Sequence, residues 1–240
     1  VQYVRRNVTN NKPIYHVFKK PFEAGGILSQ ATPVDASNGV LYQVNQWPFT
    51  PEQTYFRPIW SEAENMYYVT EDKLCSYNSR RIAGDSISDG GYLQIIPQKA
   101  TSNWEMTFRL DNTLSGHYDI CAIVLPRTIT HKDQEFNPCK FKATVNYVDT
   151  LGNSKTFNCG NTQFKTDPAR VDTVVLAESF YLPACNYDNT ELKVSVKLTC
   201  SILARENSKY SREMYLDCIY LRPRSDVSKD FREFVLSGNW

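Results

Sequence analysis

Leu192-Lys193-Val194-Ser195-Val196-Lys197-Leu198-Thr199-Cys200-Ser201-Ile202 alternates apolar and polar residues along its whole length. A period of two places one face of a β-strand against a core and the other in water. The same alternation recurs in Tyr118–Leu125, Phe141–Tyr147, Val171–Leu182 and Met214–Leu221, with turn residues between the runs and no strong amphipathic helix among them. Short strands at near-regular spacing imply an all-β fold, an antiparallel β-sandwich in which two sheets bury one face each. Residues 51–224 are expected to form it, with about eight to ten strands and almost no helix. A loop-rich segment, residues 1–50, precedes it, and a tail, residues 225–240, follows.

At 240 residues the chain suits one large domain, and 41% hydrophobic residues suffice for a core. Aromatic residues reach 13%, with 15 Tyr and 12 Phe, which suits both strands and recognition surfaces. The 27 Lys and Arg nearly balance the 26 Asp and Glu, leaving a formal net charge of +1. The longest basic clusters are the pairs Arg5-Arg6, Lys19-Lys20 and Arg80-Arg81. Nucleic acid is therefore not an expected partner, because phosphate binding needs several cations on one face. No apolar run approaches the ~20 residues that cross a bilayer, so no transmembrane segment is expected in this chain. It opens on Val1 without an initiator Met or a signal peptide, as expected of a mature or trimmed product.

Seven cysteines cannot all pair within one chain. Their spacing contains no Cys-x-x-Cys and no Cys/His cluster, which argues against zinc. Cys200 continues the apolar face of Val194, Val196 and Leu198, and Cys121 lies in phase with Ile123 and Leu125, so both read as small buried hydrophobes. Cys139, Cys159 and Cys185 lie nearer loops and are the better disulfide candidates. Support for catalysis is slight. The three His, at 16, 117 and 131, share no motif with a nucleophile, and there is no Gly-x-Ser-x-Gly, phosphate loop or His-Glu-x-x-His. A glycosidase needs only two carboxylates, so hydrolysis stays open as an alternative.

In the first segment Asn38-Gly39 precedes the apolar run Val40–Val44, a turn feeding a strand. The stretch from Ala31 to Pro48 (ATPVDASNGVLYQVNQWP) resembles the closing motif of fasciclin-type adhesion domains, although Tyr42 and Asn45 stand where that family has His and Asp. Only the tail of such a domain would fit within residues 1–50. Three motifs farther on resemble family-six carbohydrate-binding modules: Ile59-Trp60-Ser61-Glu62-Ala63-Glu64-Asn65 their opening strand, Leu114–Ile120 (LSGHYDI) the entry to a central strand, and Tyr215–Leu221 (YLDCIYL) their last strand. This resemblance implies a galactose-binding-like jelly roll acting as a non-catalytic adhesion module, of a bacterial cell-surface or secreted protein, with a glycan or cell-surface partner. A purely structural or protein-binding module is the alternative.

The resemblance also implies a structural calcium ion held by Glu62, Glu64 and Asp217. Glu62 and Glu64, two apart, would share a strand face and repel unless a cation or a basic side chain such as Arg57 or Lys73 lay between them. Sugars are bound by aromatic faces with amides and carboxylates around them. The stretch Ser76–Gly91, expected to be a loop, offers Tyr77, Asn78, Arg80, Arg81, Asp85 and Asp89, and Tyr92 follows it; Trp104 and Tyr187 sit in similar surroundings. Tyr77, Trp104 and Tyr187 are the expected stacking platforms, with Asn78, Asp89 and Tyr92 beside them.

Overall fold

A computed structural model describes residues 32–43, 58–82, 87–186 and 194–224. The chain divides into two compact units, Val1–Thr54 and Tyr55–Trp240.

The described part of the first unit is an antiparallel hairpin of β1 (Thr32–Ala36) and β2 (Gly39–Gln43), closed by the turn at Ser37 and Asn38. The turn falls where the Asn-Gly pair predicts one. No fasciclin domain is evident among these residues, and Ala31 and Val44–Pro48 of the resembling stretch lie outside them.

The second unit is an antiparallel β-sandwich. Its strands are β3 (Ile59–Glu62), β4 (Val69–Lys73), β5 (Cys75–Arg81), β6 (Gly91–Pro97), β7 (Glu105–Leu110), β8 (Gly116–Leu125), β9 (Lys140–Val148), β10 (Ser154–Lys165), β11 (Asp172–Leu182), β12 (Val194–Cys200) and β13 (Met214–Pro223). One sheet runs in the order β10-β9-β12-β7-β4, and the other, of six strands, runs β11-β8-β13-β6-β5 with β3 also paired to β13. Five and six strands slightly exceed the expected number, and helix is confined to one-turn 3-10 segments among the described residues.

The alternation in β12 does what its period demands. Val194, Val196, Leu198 and Cys200 are buried, while Ser195, Lys197 and Thr199 face outward. Leu198 lies opposite Met106 of β7 and Ala143 of β9. Its layer meets Ile95, Ile120, Leu216 and Ile219 of the other sheet in one core. Burying large side chains on both inner faces is the main favourable contribution to such a sandwich.

Strands β8 and β13 depart from simple alternation. Asp119, Cys121 and Cys218 lie on their outer face and are nonetheless buried. That outer face carries its own cover of aromatic and charged side chains, described below.

None of the seven cysteines is disulfide-bonded. Cys139 and Cys159, expected near loops, are buried, and the thiol of Cys139 meets that of Cys200 in the core. Cys185 alone is exposed.

Ser76–Gly91 is not one loop: Cys75–Arg81 form edge strand β5, and a short turn, Ser88–Gly90, leads into β6. Trp104, expected on a loop platform, is fully buried and donates its indole N–H to the carbonyl of Arg212 at 2.6 Å. Trp104→Phe should therefore cost roughly 1–3 kcal/mol through the orphaned carbonyl and leave ligand binding unchanged, as denaturant melts beside binding measurements will show.

Candidate functional site

Two features of the six-stranded sheet stand out, an acidic junction at one place and an aromatic, cationic outer face at another.

The junction forms where the first and last strands of the sandwich pair. Cys218 lies opposite Glu62, and Ala63 N–H donates to the Asp217 carbonyl at 2.9 Å. On the other side of β13 the register skips between Leu216 and Cys218, so Asp217 is the extra residue of a β-bulge. A bulge re-aims side chains that regular pleating would send elsewhere. Here it leaves the Asp217 carboxylate buried, accepting the Ser88 N–H with both oxygens at 3.1 Å. Ser88 Oγ in turn donates to Glu62 Oε1 at 2.7 Å. Ligating atoms of Glu62, Asp217 and Cys218 lie within 4.8 Å of one another. Glu64, in the turn after β3, packs its carboxylate over Gly91, where a Cβ would come within 2.6 Å of Oε1. Gly91 thus serves as the bare floor beneath that side chain.

The electrostatics of this cluster are unfavourable without a counter-charge. Burial pushes the Asp217 carboxyl up to about 7, opposed by the Ser88 N–H bond and reinforced by Glu62 and Glu64. Burial also raises Glu62, with the Ser88 bond acting against it and Glu64 and Asp89 adding to it. Glu64 is raised by burial and by Asp89, and Arg81 counters in part. Lys73, one of the expected neutralising groups, instead lies 4.0 Å from both Glu71 and Glu105.

Two buried oxygens, Glu62 Oε2 and Glu64 Oε2, have no hydrogen-bond partner. Buried polar atoms are rarely left so, and an ion is one of the reasons when they are. Burial pushes the Cys218 thiol far up, aided by the neighbouring carboxylates, which favours the protonated thiol in the ion-free cluster. The remaining donors are carboxylate oxygens, the set a hard cation such as Ca2+ takes. Glu62 and Asp217 therefore fit the cation that the sequence resemblance implies, while Glu64, over Gly91, is not among the groups whose ligating atoms lie within 4.8 Å of one another.

The expected sugar platforms do not assemble. Tyr92 is buried, packed against Tyr215 at a ring separation of 5.2 Å, and Trp104 belongs to the core. Neither has a face to offer a ring: Tyr92 is covered in a small cluster with Ile87, Leu125 and Tyr215, and Trp104 is enclosed by the main core. Tyr77 and Asn78 lie on β5, where Tyr77 lines a surface groove of about 380 Å³ with Met66, Glu71, Asp72 and Lys73. Asp89 is exposed in the turn beside the acidic junction, with a φ of 48°. Tyr187 and Asp85 lie outside the described residues.

The second feature was absent from the sequence reading. Trp60 of β3 lies opposite Tyr220 of β13, and their rings stack with centroids 4.6 Å apart at 21°. Trp60 keeps 41% of its surface exposed. Arg222, two residues beyond Tyr220 and so on the same face, lies opposite Asp119 of β8. Two strands from β13, Tyr181 of β11 packs against His117 of β8 with ring centroids 4.9 Å apart, and Tyr181 is half exposed. A signal existed in the sequence, since Tyr220 alternates with the apolar Ile219 and Leu221, and Trp60 follows the apolar Ile59 in the opening strand. Only the β3–β13 register brings them together.

No protein-family model matches the chain, and no curated protein does. Among solved structures, the chain is similar to a Paenibacillus xanthan lyase (15% identity, TM-score 0.48), of which 78% of this chain covers 15%. It is also similar to the CBM22-1 xylan-binding domain of Paenibacillus barcinonensis Xyn10C (11% identity, TM-score 0.43), with 70% of this chain covering 93% of that domain. A family 35 carbohydrate-binding module from Clostridium thermocellum is similar at 10% identity and TM-score 0.39, with 70% of this chain covering 99% of it. The chain thus spans a small part of the enzyme and nearly all of the isolated modules. Likeness at this level leaves the function to be argued from the chain's own residues.

Proposed function

We propose that the chain is a non-catalytic adhesion module of a cell-surface or secreted protein, contacting glycans with the outer face of its six-stranded sheet. The observation that carries this reading is the stacked, half-open Trp60–Tyr220 pair. An exposed aromatic face binds the C–H surface of a sugar ring, and hydrogen-bonding groups beside it fix the ring's orientation. Arg222, His117 and Tyr181 supply such groups on the same face. On the partner sheet Lys197, Thr199, Thr144 and Asn146 give β9 and β12 a polar outer face. Glu62 and Asp217 are drawn into the acidic junction, where Ser88 engages both.

Glu62, Glu64 and Asp217 hold a structural calcium ion in this reading. The ion supplies charge neutralisation where the first and last strands of the sandwich meet.

Affinity electrophoresis through immobilised polysaccharides tests the glycan reading. The native chain should be retarded by at least one glycan, and Trp60→Ala should weaken that retention by about tenfold or more, as expected when a central aromatic contact is lost. No retention by any glycan, with capture through a strand edge by a protein instead, would favour the purely structural reading. Turnover of a chromogenic glycoside would contradict the non-catalytic assignment.

A further inference from the structure

The outer face carries more than aromatic surface, and its charge arrangement names a ligand class. Asp119 is buried beneath it and accepts from Ser179 N–H at 2.9 Å, from Arg222 Nε and Nη2 at 3.2 and 2.8 Å, and from Arg224 Nη1 at 3.2 Å. Ser179 sits at a break in the β11–β8 register with a φ of 48°, a left-handed conformation uncommon for a residue other than glycine. That conformation turns its N–H to Asp119, while its carbonyl lies 3.1 Å from His117 Nδ1. Local strain held by surrounding contacts is a mark of sites built for a purpose.

The product of this arrangement is a fixed guanidinium. Asp119 engages the Nε–Nη2 side of Arg222, Nη1 has no bond among the described residues, and 53% of the side chain faces solvent. The outer Nη1–Nη2 edge of a guanidinium held this way keeps two N–H donors that match the planar, two-oxygen geometry of a carboxylate. Arg222 follows Tyr220 by two residues, so the cation lies about 7 Å along the strand from the Trp60–Tyr220 stack, close to one sugar ring away. The face continues across β13 and β8 to Tyr181, about 14 Å from β3 at ordinary strand spacing, room for several rings.

From this juxtaposition we infer that the outer face binds a carboxylate-bearing polysaccharide, with a uronic acid on Arg222 and its neighbouring ring stacked on Trp60. The inference rests on the glycan reading above and adds the class of glycan.

The test compares retention of the native chain by polygalacturonate, by the same polymer after carboxyl reduction, by a sulfated polysaccharide and by a neutral xylan. Polygalacturonate should bind most tightly, carboxyl reduction should weaken it about tenfold or more, and added salt should weaken it further. Arg222→Gln should remove the preference for the acidic polymer but leave residual retention, whereas Trp60→Ala should reduce retention of every polymer. Arg222→Lys keeps the charge without the fork and should lose most of the preference. Melting curves of each variant show which are folded, with Tyr181→Ala as a further probe should Arg222→Gln not fold. Equal retention of the native and carboxyl-reduced polymers, or a preference for sulfate, would overturn the inference while leaving the glycan reading intact. Failure of every polymer to be retained, or a Trp60→Ala variant that binds like the native chain, would instead remove the glycan reading itself.

Discussion

Stripping divalent cations from the purified chain should lower its melting temperature by roughly 5 °C or more, and calcium should restore it. The acidic junction is the reason. Asp217 is buried, the Glu62 and Glu64 carboxylates each have a buried oxygen without a partner, and besides burial Glu62 and Glu64 raise the proton affinity of Asp217 while Glu64 raises that of Glu62. An ion that binds these oxygens in the folded state and not in the unfolded chain stabilises by mass action. The pH dependence has a definite sign. Without cation, the folded Asp217 carboxyl holds its proton up to about pH 7, against an ordinary value of 3.8. The folded state then binds more protons than the unfolded one between those values, so this cluster's contribution to stability falls as pH rises through them. Calcium should offset that loss at pH 8 and change little at pH 5. Glu64→Gln should blunt both the calcium response and the pH response. A melting temperature indifferent to calcium and chelator across that range would reject the site.

Asp119→Ala should be the most damaging single substitution on the outer face, costing roughly 1–3 kcal/mol, because it removes the acceptor of the Ser179 N–H and of two guanidinia that stay partly in water. Burial alone would raise this carboxyl, yet the bonds from Ser179, Arg222 and Arg224 prevail and hold it below the ordinary range. A depressed pKa contributes stability that is present above the unfolded value and lost as pH falls through the folded one. The Asp119 network should therefore be intact at neutral pH and fail only in acid, below about pH 4. Chemical denaturation of Asp119→Ala against the native chain, at pH 7 and pH 3, measures both effects. A variant as stable as the native chain at pH 7 would show that the network does not contribute as described.

Much of the architecture was legible in period-two alternation, and β12 shows why: it is a central strand with one face in the core and the other outward. Cys121 is buried as its phase implied, but the same rule did not foresee that Asp119 and Cys218, on the outer faces of β8 and β13, are buried as well. The placement of Trp104 and Tyr92 was not legible either, since an aromatic beside a turn signal reads the same whether pairing turns it inward or outward. Glu62 and Asp217 lie in one acidic cluster. The means, a bulge that leaves Asp217 without a partner on β8, left no mark in the sequence. Trp60 and Tyr220 lie 160 positions apart in the chain, and only the β3–β13 register makes them one surface.

The central claim, glycan contact on the outer face of the six-stranded sheet, is tested most directly by titrating isotope-labelled protein with an oligosaccharide of the glycan it retains and following amide and indole resonances. The account predicts that the Trp60 indole N–H and the amides of Tyr220, Arg222, His117 and Tyr181 shift together with a single affinity. Shifts confined to the Tyr77 groove on β5, with Trp60 and Tyr220 unmoved, would contradict it.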